Sequence, residues 1–228
     1  MGLKKKKHSD EAIQAVIIDC KARSRNNIRI LRTDGDGIFG RSETFQKLKE
    51  REGFTHERPA PYDHKQSSII DRECRTLLEG VSTSLDQAGA PPSWWSMAAQ
   101  HFVFTRNTLT RVEVEEKGEK KNYSPSSMLE GRRIDFNLKH LVAFGTQVSC
   151  YLPHSRREGK KTPGQAKSFE GVIVGYVYDM QAYVVYDMKE RKKREVSFFH
   201  TKIHEGFFPM RDKRVWSEEE KCLPKRFS

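Results

Sequence analysis

The apolar residues change period along this chain, and that change limits the fold more than any composition figure. Over 9–107 they recur at helical spacing, whereas over 141–200 they come in short β-rich runs broken by turns. Ala12, Ile13, Val16, Ile17 and Cys20 form one helical face behind a Ser9 cap, with Asp10 and Glu11 where the helix dipole favours acids. Asn26-Asn27 then turns the chain into a predicted strand over 28–32. A helix follows over 42–51 with Phe45 and Leu48 inward, ending near Gly53. The prolines and polar residues of 57–68 predict a loop. Ile70, Cys74, Leu77, Leu78 and Val81 predict a helix over 69–85, and after the break "GAPPS" an apolar helix is expected over 94–107.

The stretch "VEVEEKGEKK" (112–121) marks a boundary, read as an exposed ribbon plus linker. Beyond it the runs 141–152, 169–179, 182–188 and 194–200 have the spacing of a small antiparallel barrel. The expected fold class is therefore α/β followed by a small all-β barrel. The expected domains are 1–111, a linker over 112–137, the barrel over 138–210 and a tail over 211–228. A lone strand at 28–32 makes a poor core, so the first domain is expected to lack strands.

Net charge is +11 in 228 residues. Polyanions are the natural partners: nucleic acid first, an acidic membrane surface second, with a merely soluble basic protein as the bland alternative. The four cysteines form no C-x-x-C pair, which argues against a disulfide framework and for a reduced intracellular setting. No apolar stretch reaches the roughly 18 residues of a membrane span. The lysine run at 4–7 reads either as a nuclear address or as a solvated end.

"RTDGDGIFG" (32–40) delivers Asp34 from a strand into a glycine-rich loop. Asp-Gly pairs are ordinary turn residues. A carboxylate at a strand end beside a phosphate path is the other reading, and nine residues do not choose between them.

Three ordered pieces do more: "LRTDGDGIF" (31–39), "PYDHKQSSIIDRECRTLLEG" (61–80) and "PPSWWSMAAQHFVFTRN" (91–107). Together they resemble the catalytic core of copia-type retrotransposon integrases, in the retroviral integrase and RNase H-like superfamily. Phe144-Gly145, Gly175-Tyr176 and Phe208-Pro209 resemble hallmarks of the SH3-like domain that follows that core. The resemblance covers roughly residues 3 to 210. It implies a partial RNase H-like core and an SH3-like barrel, with DNA strand transfer as the ancestral reaction and Mg²⁺ (or Mn²⁺) as cofactor. Asp34 falls on the family's second catalytic aspartate, and Asp71 stands at the glutamate position, so these two are the implied catalytic and metal-ligand residues. Arg32, Lys65, Arg72, Arg75, Arg156, Arg157, Lys160 and Lys161 are the basic residues expected to touch nucleic acid. DNA is the expected partner, self-association is left open, and no membrane or small-molecule substrate is expected.

Asp71 is one methylene shorter than the family's glutamate. Asp34 and Asp71 enclose thirty-six residues, where the family has about one fewer. The family's first aspartate belongs on a strand ahead of the segment resembled by 3–12, so the chain is expected to be an N-terminally truncated form with weak or no catalysis alone. The rival expectation is a non-enzymatic nucleic-acid-binding or assembly module. His200 and His204 give only a weak zinc signal, with solvent-facing or hydrogen-bonded histidines as the ordinary reading.

Overall fold

The computed structural model describes residues 9–24, 27–33, 42–58, 64–116, 118–131, 136–151, 167–177 and 181–211, with the backbone alone at 9 and 64–69. It divides into two units, residues 1–75 with 107–135 and residues 76–106 with 136–228. This partition differs from the division at 111 read from the sequence. Residues 76–106 share a core with the β-rich half of the chain, for a reason that lies in one strand of that half.

In the first unit, α1 (Ser9–Arg23) places Asp10 and Glu11 in its first turn and Lys21 and Arg23 in its last, each complementing the helix dipole. Its buried Ile17 meets Phe45, Leu48 and Phe54, with Ile13, Ile28 and Leu31 packed around them. Phe45 and Leu48 belong to α2 (Glu43–Glu52), capped by Ser42, whose Oγ accepts the Phe45 N–H. Gly53 ends α2 at φ 70°, a left-handed conformation that suits glycine, and donates its N–H to the Lys49 carbonyl at 2.9 Å. Lys21 of α1 pairs with Glu52 of α2.

The strand β1 (Ile30–Arg32) is not alone. It pairs in parallel with β2 (Thr55–Glu57), in the register Ile30–Thr55, Leu31–His56, Arg32–Glu57. The polar sequence Thr-His-Glu hides this strand, because nothing in it alternates between apolar and polar. Parallel neighbours require a crossover, and α2 supplies it. The loop expected over 57–68 is correspondingly shorter: β2 reaches Glu57, and α3 (His64–Ala88) begins five residues before the expected helix start. The charged ribbon is a hairpin, β3 (Val112–Glu116) with β4 (Glu119–Tyr123), joined across by Lys120 to Glu113 and Lys121 to Glu116. A short α5 (Pro125–Glu130), capped by Ser124, follows it.

In the second unit, β5 (Gln147–Tyr151), β6 (Ser168–Val177), β7 (Ala182–Asp187), β8 (Lys192–Ser197) and β9 (Thr201–Ile203) form one antiparallel sheet. Its order is β8-β7-β6-β5-β9. One face carries Val148, Cys150, Ile173, Tyr183 and Val185, buried with Val196 and Phe198. The opposite face carries Val172 and Val174, buried with Trp94, Met97 and Ala98 and with Val81 and Ala88 of α3. Trp94 closes a 3₁₀ turn (Pro92–Trp94) ahead of α4 (Trp95–Leu109), and its ring lies 4.6 Å from that of Tyr186. The middle of β6 is therefore buried on both faces. A run such as "GVIVG" without polar alternation is what two-sided burial selects. Gly145, at φ 78°, fits tightly here, since a Cβ would stand 2.4 Å from that of Ala88.

His101 of α4 is 5% exposed, and its Nε2–H donates to the Val142 carbonyl at 2.9 Å. The Tyr176 hydroxyl donates to the same carbonyl at 3.1 Å and accepts the Val142 N–H at 2.8 Å. Burial pushes the His101 imidazole down to about 4 and the Tyr176 phenol up to about 12. The neutral imidazole is thus the native form. Its contribution is complete above the unfolded value near 6.5 and is lost as pH falls through 6.5 towards 4, a span worth roughly 3 kcal/mol. Chemical denaturation across this range is expected to show that decline. His101→Gln, which keeps a donor for Val142 but cannot titrate, is expected to flatten it; an equally steep decline in the variant would contradict the assignment.

Candidate functional site

The parallel pair β1–β2 brings two strand ends to one place. Thr33 extends the ladder by donating its N–H to the Glu57 carbonyl at 3.2 Å, and its hydroxyl lies 2.9 Å from His56 Nε2. The backbone is thus held up to the residue before Asp34. The carboxyl ends of the two strands thus lie side by side at Arg32 and Glu57. His56 packs its ring 4.9 Å from Phe45. Desolvation, then the nearby positive charges of Arg58 and Lys49, lowers its pKa.

Asp34 lies outside the described residues, as do Arg156, Arg157, Lys160 and Lys161. Lys65 is on α3, with its side chain outside what is described. Arg32 is exposed, but Glu57 opposite it accepts from both Nε (3.1 Å) and Nη2 (2.7 Å). A phosphate reaching Arg32 competes with that carboxylate in a solvent-exposed pair worth about 0–1 kcal/mol, so the competition is easily won.

Asp71, Arg72 and Arg75 are exposed on α3. Because α3 begins at His64, Asp71 sits two turns inside it, beyond the first turn over which the dipole stabilises an acid. An explanation of Asp71 as a helix-terminal acid therefore fails. Glu73, two residues on, points to a different side of the helix. Among the described residues no group of three His, Cys, Asp or Glu is arranged to hold a metal ion.

The second unit holds polar groups that the sequence left as a weak zinc signal. Ser149 Oγ lies 2.8 Å from His204 Nε2, and the His200 ring lies 5.8 Å from Tyr151. His200 and His204 flank β9, and neither belongs to a group of three metal-holding side chains among the described residues. Sequence reasoning also passed over Phe199. Phe198 and Phe199 both lie in the 3₁₀ turn Phe198–His200, and Phe198 alone enters the core. Phe198 is 6% exposed and Phe199 is 81% exposed.

No protein-family model matches the chain. It is 24% identical over 179 residues, 77% of its length, to the "Retrovirus-related Pol polyprotein from transposon TNT 1-94" of Nicotiana tabacum, of which the match covers 12%. It is also 24% identical over 168 residues, 69% of its length, to the "Transposon Ty1-LR3 Gag-Pol polyprotein" of Saccharomyces cerevisiae, of which the match covers 9%. The chain thus spans about a tenth of the length of these curated relatives. Among solved structures, a chain of the simian T-cell lymphotropic virus intasome in complex with PP2A regulatory subunit B56 gamma aligns at 12% identity and a TM-score of 0.34. That alignment covers 86% of this chain and 66% of the other, a likeness too low to set the fold.

Asp71, exposed as it is, is expected to be dispensable for folding. Denaturant titration of Asp71→Ala is expected to shift stability by no more than about 0.5 kcal/mol, against a loss of roughly 2–5 kcal/mol for Leu48→Ala in the core. A loss above 1 kcal/mol in Asp71→Ala would make it a structural residue. Two retrotransposon polyproteins are distant relatives of this chain, and its exposed acid and arginines on α3 lie within it as surface groups rather than as parts of the core.

Proposed function

We propose that this chain derives from a copia-type retroelement integrase, with RNase H-like catalytic-core and SH3-like regions, and that by itself it binds DNA without reading sequence. The observation that carries this reading is the match to a retrotransposon polyprotein over 77% of the chain, a length that necessarily takes in residues of both units. The net charge of +11 supports a polyanionic partner. The parallel β1–β2 pair supports a strand end suited to phosphate chemistry.

In this reading Asp34 and Asp71 occupy metal-ligand positions, and oxygen donors of this kind suit Mg²⁺ or Mn²⁺. The ion would neutralise charge gathering on phosphodiester oxygens during strand transfer. Asp71 reaches about 1.5 Å less far than a glutamate, and misplacement near 1 Å costs on the order of a hundredfold. Strand transfer by these 228 residues is accordingly weak, and DNA binding is what remains. Arg32, Lys65, Arg72 and Arg75 serve the first unit, and Arg156, Arg157, Lys160 and Lys161 the second, all through phosphate rather than bases.

Fluorescence anisotropy with two duplexes of unrelated sequence is expected to give equal affinities that fall linearly in log salt, by about 0.9 per neutralised phosphate. Replacing Arg156, Arg157, Lys160 and Lys161 by Ala is expected to reduce that slope by up to about 3–4. Salt-independent or sequence-specific binding would contradict the reading. In strand-transfer assays with Mn²⁺, Asp71→Glu is expected to raise activity and Asp34→Asn to abolish the gain. Binding unaffected by both changes, with no transfer in either, would favour a non-enzymatic binding module.

A further inference from the structure

The outer face of the second unit's sheet is treated in two ways. Over β6 and β7, Val172, Val174 and Tyr186 are covered by Trp94 and its neighbours. At the β5–β9 edge Val148, Cys150 and Ile203 turn inward, so Ser149 and Tyr151 turn outward, and so does Lys202, which pairs with Ser149. His200 closes the 3₁₀ turn Phe198–His200 ahead of β9 and packs against Tyr151, with ring centroids 5.8 Å apart and planes at 54°. Tyr151 is 43% exposed, and Phe199, beside His200, is 81% exposed.

We propose that this edge is a stacking platform for unpaired nucleobases, with Phe199, Tyr151 and His200 offering ring faces and Lys202 meeting the phosphate chain. The proposal rests on the DNA-binding reading and narrows it to single-stranded nucleic acid. Three observations favour bases over a protein partner. The rings are not a continuous apolar patch, because Ser149, Lys202 and His204 stand among them, and hydrophobic docking needs continuity. Aromatic side chains interleaved with cations are what successive bases stack upon, since every base has a π-face. Charge is also complementary: Lys202 is exposed here, and Glu170 on this face already accepts from the Gln147 amide at 3.2 Å.

The test compares three probes on the full chain by anisotropy: a twenty-nucleotide oligothymidine, an abasic strand of equal length, and a twenty-base-pair duplex. Oligothymidine is expected to bind more tightly than the abasic strand. Phe199→Ala and Tyr151→Ala are each expected to weaken oligothymidine binding by about tenfold while leaving the duplex within about twofold. Tyr151→Phe, which keeps the ring, is expected to retain binding. Equal affinity for the oligothymidine and abasic strands, or no loss in either alanine variant, would overturn the platform while leaving duplex binding intact. Failure to bind any of the three probes would overturn the DNA-binding reading as well. A concentration-dependent dimer in sedimentation that Phe199→Ala dissolves would replace nucleobases with a second copy of the chain and overturn the proposal.

Discussion

The second unit depends on covering a strand that is apolar on both faces. In β6, Ile173 enters one core while Val172 and Val174 face the other. Fully burying a valine is worth roughly 1.5–3 kcal/mol, and whole domains are stable by only about 5–15 kcal/mol. A bare outer face on β6 and β7 would therefore consume a large share of that margin. Trp94, Met97 and Ala98 cover it, and the accommodating details follow. Gly145 leaves room for Ala88, His101 is tied to Val142, and the Arg211 guanidinium donates through Nε and Nη2 to the Gln87 carbonyl at 3.0 and 2.6 Å.

The same constraint frames the functional surfaces. Where α3 and α4 cover the sheet its outer side chains are buried, and the proposed stacking platform lies at the β5–β9 edge instead. In the first unit the parallel pair does a comparable job with less material: one crossover helix and a three-residue partner strand hold the chain up to Thr33. The polar chemistry of both places sits at strand ends or edges, where strand pairing fixes the backbone.

Much of this was legible in the sequence. Ser42, Phe45 and Leu48 announced α2, Gly53 its end, and the valine and tyrosine runs announced the antiparallel strands. The Thr-His-Glu strand was not legible, because its place is set by backbone pairing with β1 and by the burial of Phe54 beside it. The grouping of 76–106 with the sheet was half visible: "FEGVIVGYV" lacks the alternation of a strand with one wet face, which signals a second cover without saying which helix supplies it. At the candidate site, Asp71 was picked out by resemblance and is exposed on α3. The role of Arg32 was altered by a partner, Glu57, that only the register reveals. The ring-bearing edge went unseen because Tyr151 and His200 are far apart in sequence and meet through β5–β9 pairing.

Native-state hydrogen exchange tests the two-sided burial most directly. If β6 is stable because Trp94 and α4 cover it, the amides of α4 and of β6 and β7 open together, with one free energy and one denaturant dependence. Exchange of α4 at a markedly lower opening free energy, while β6 and β7 remain protected, would show that the sheet stands without its cover and would contradict the account.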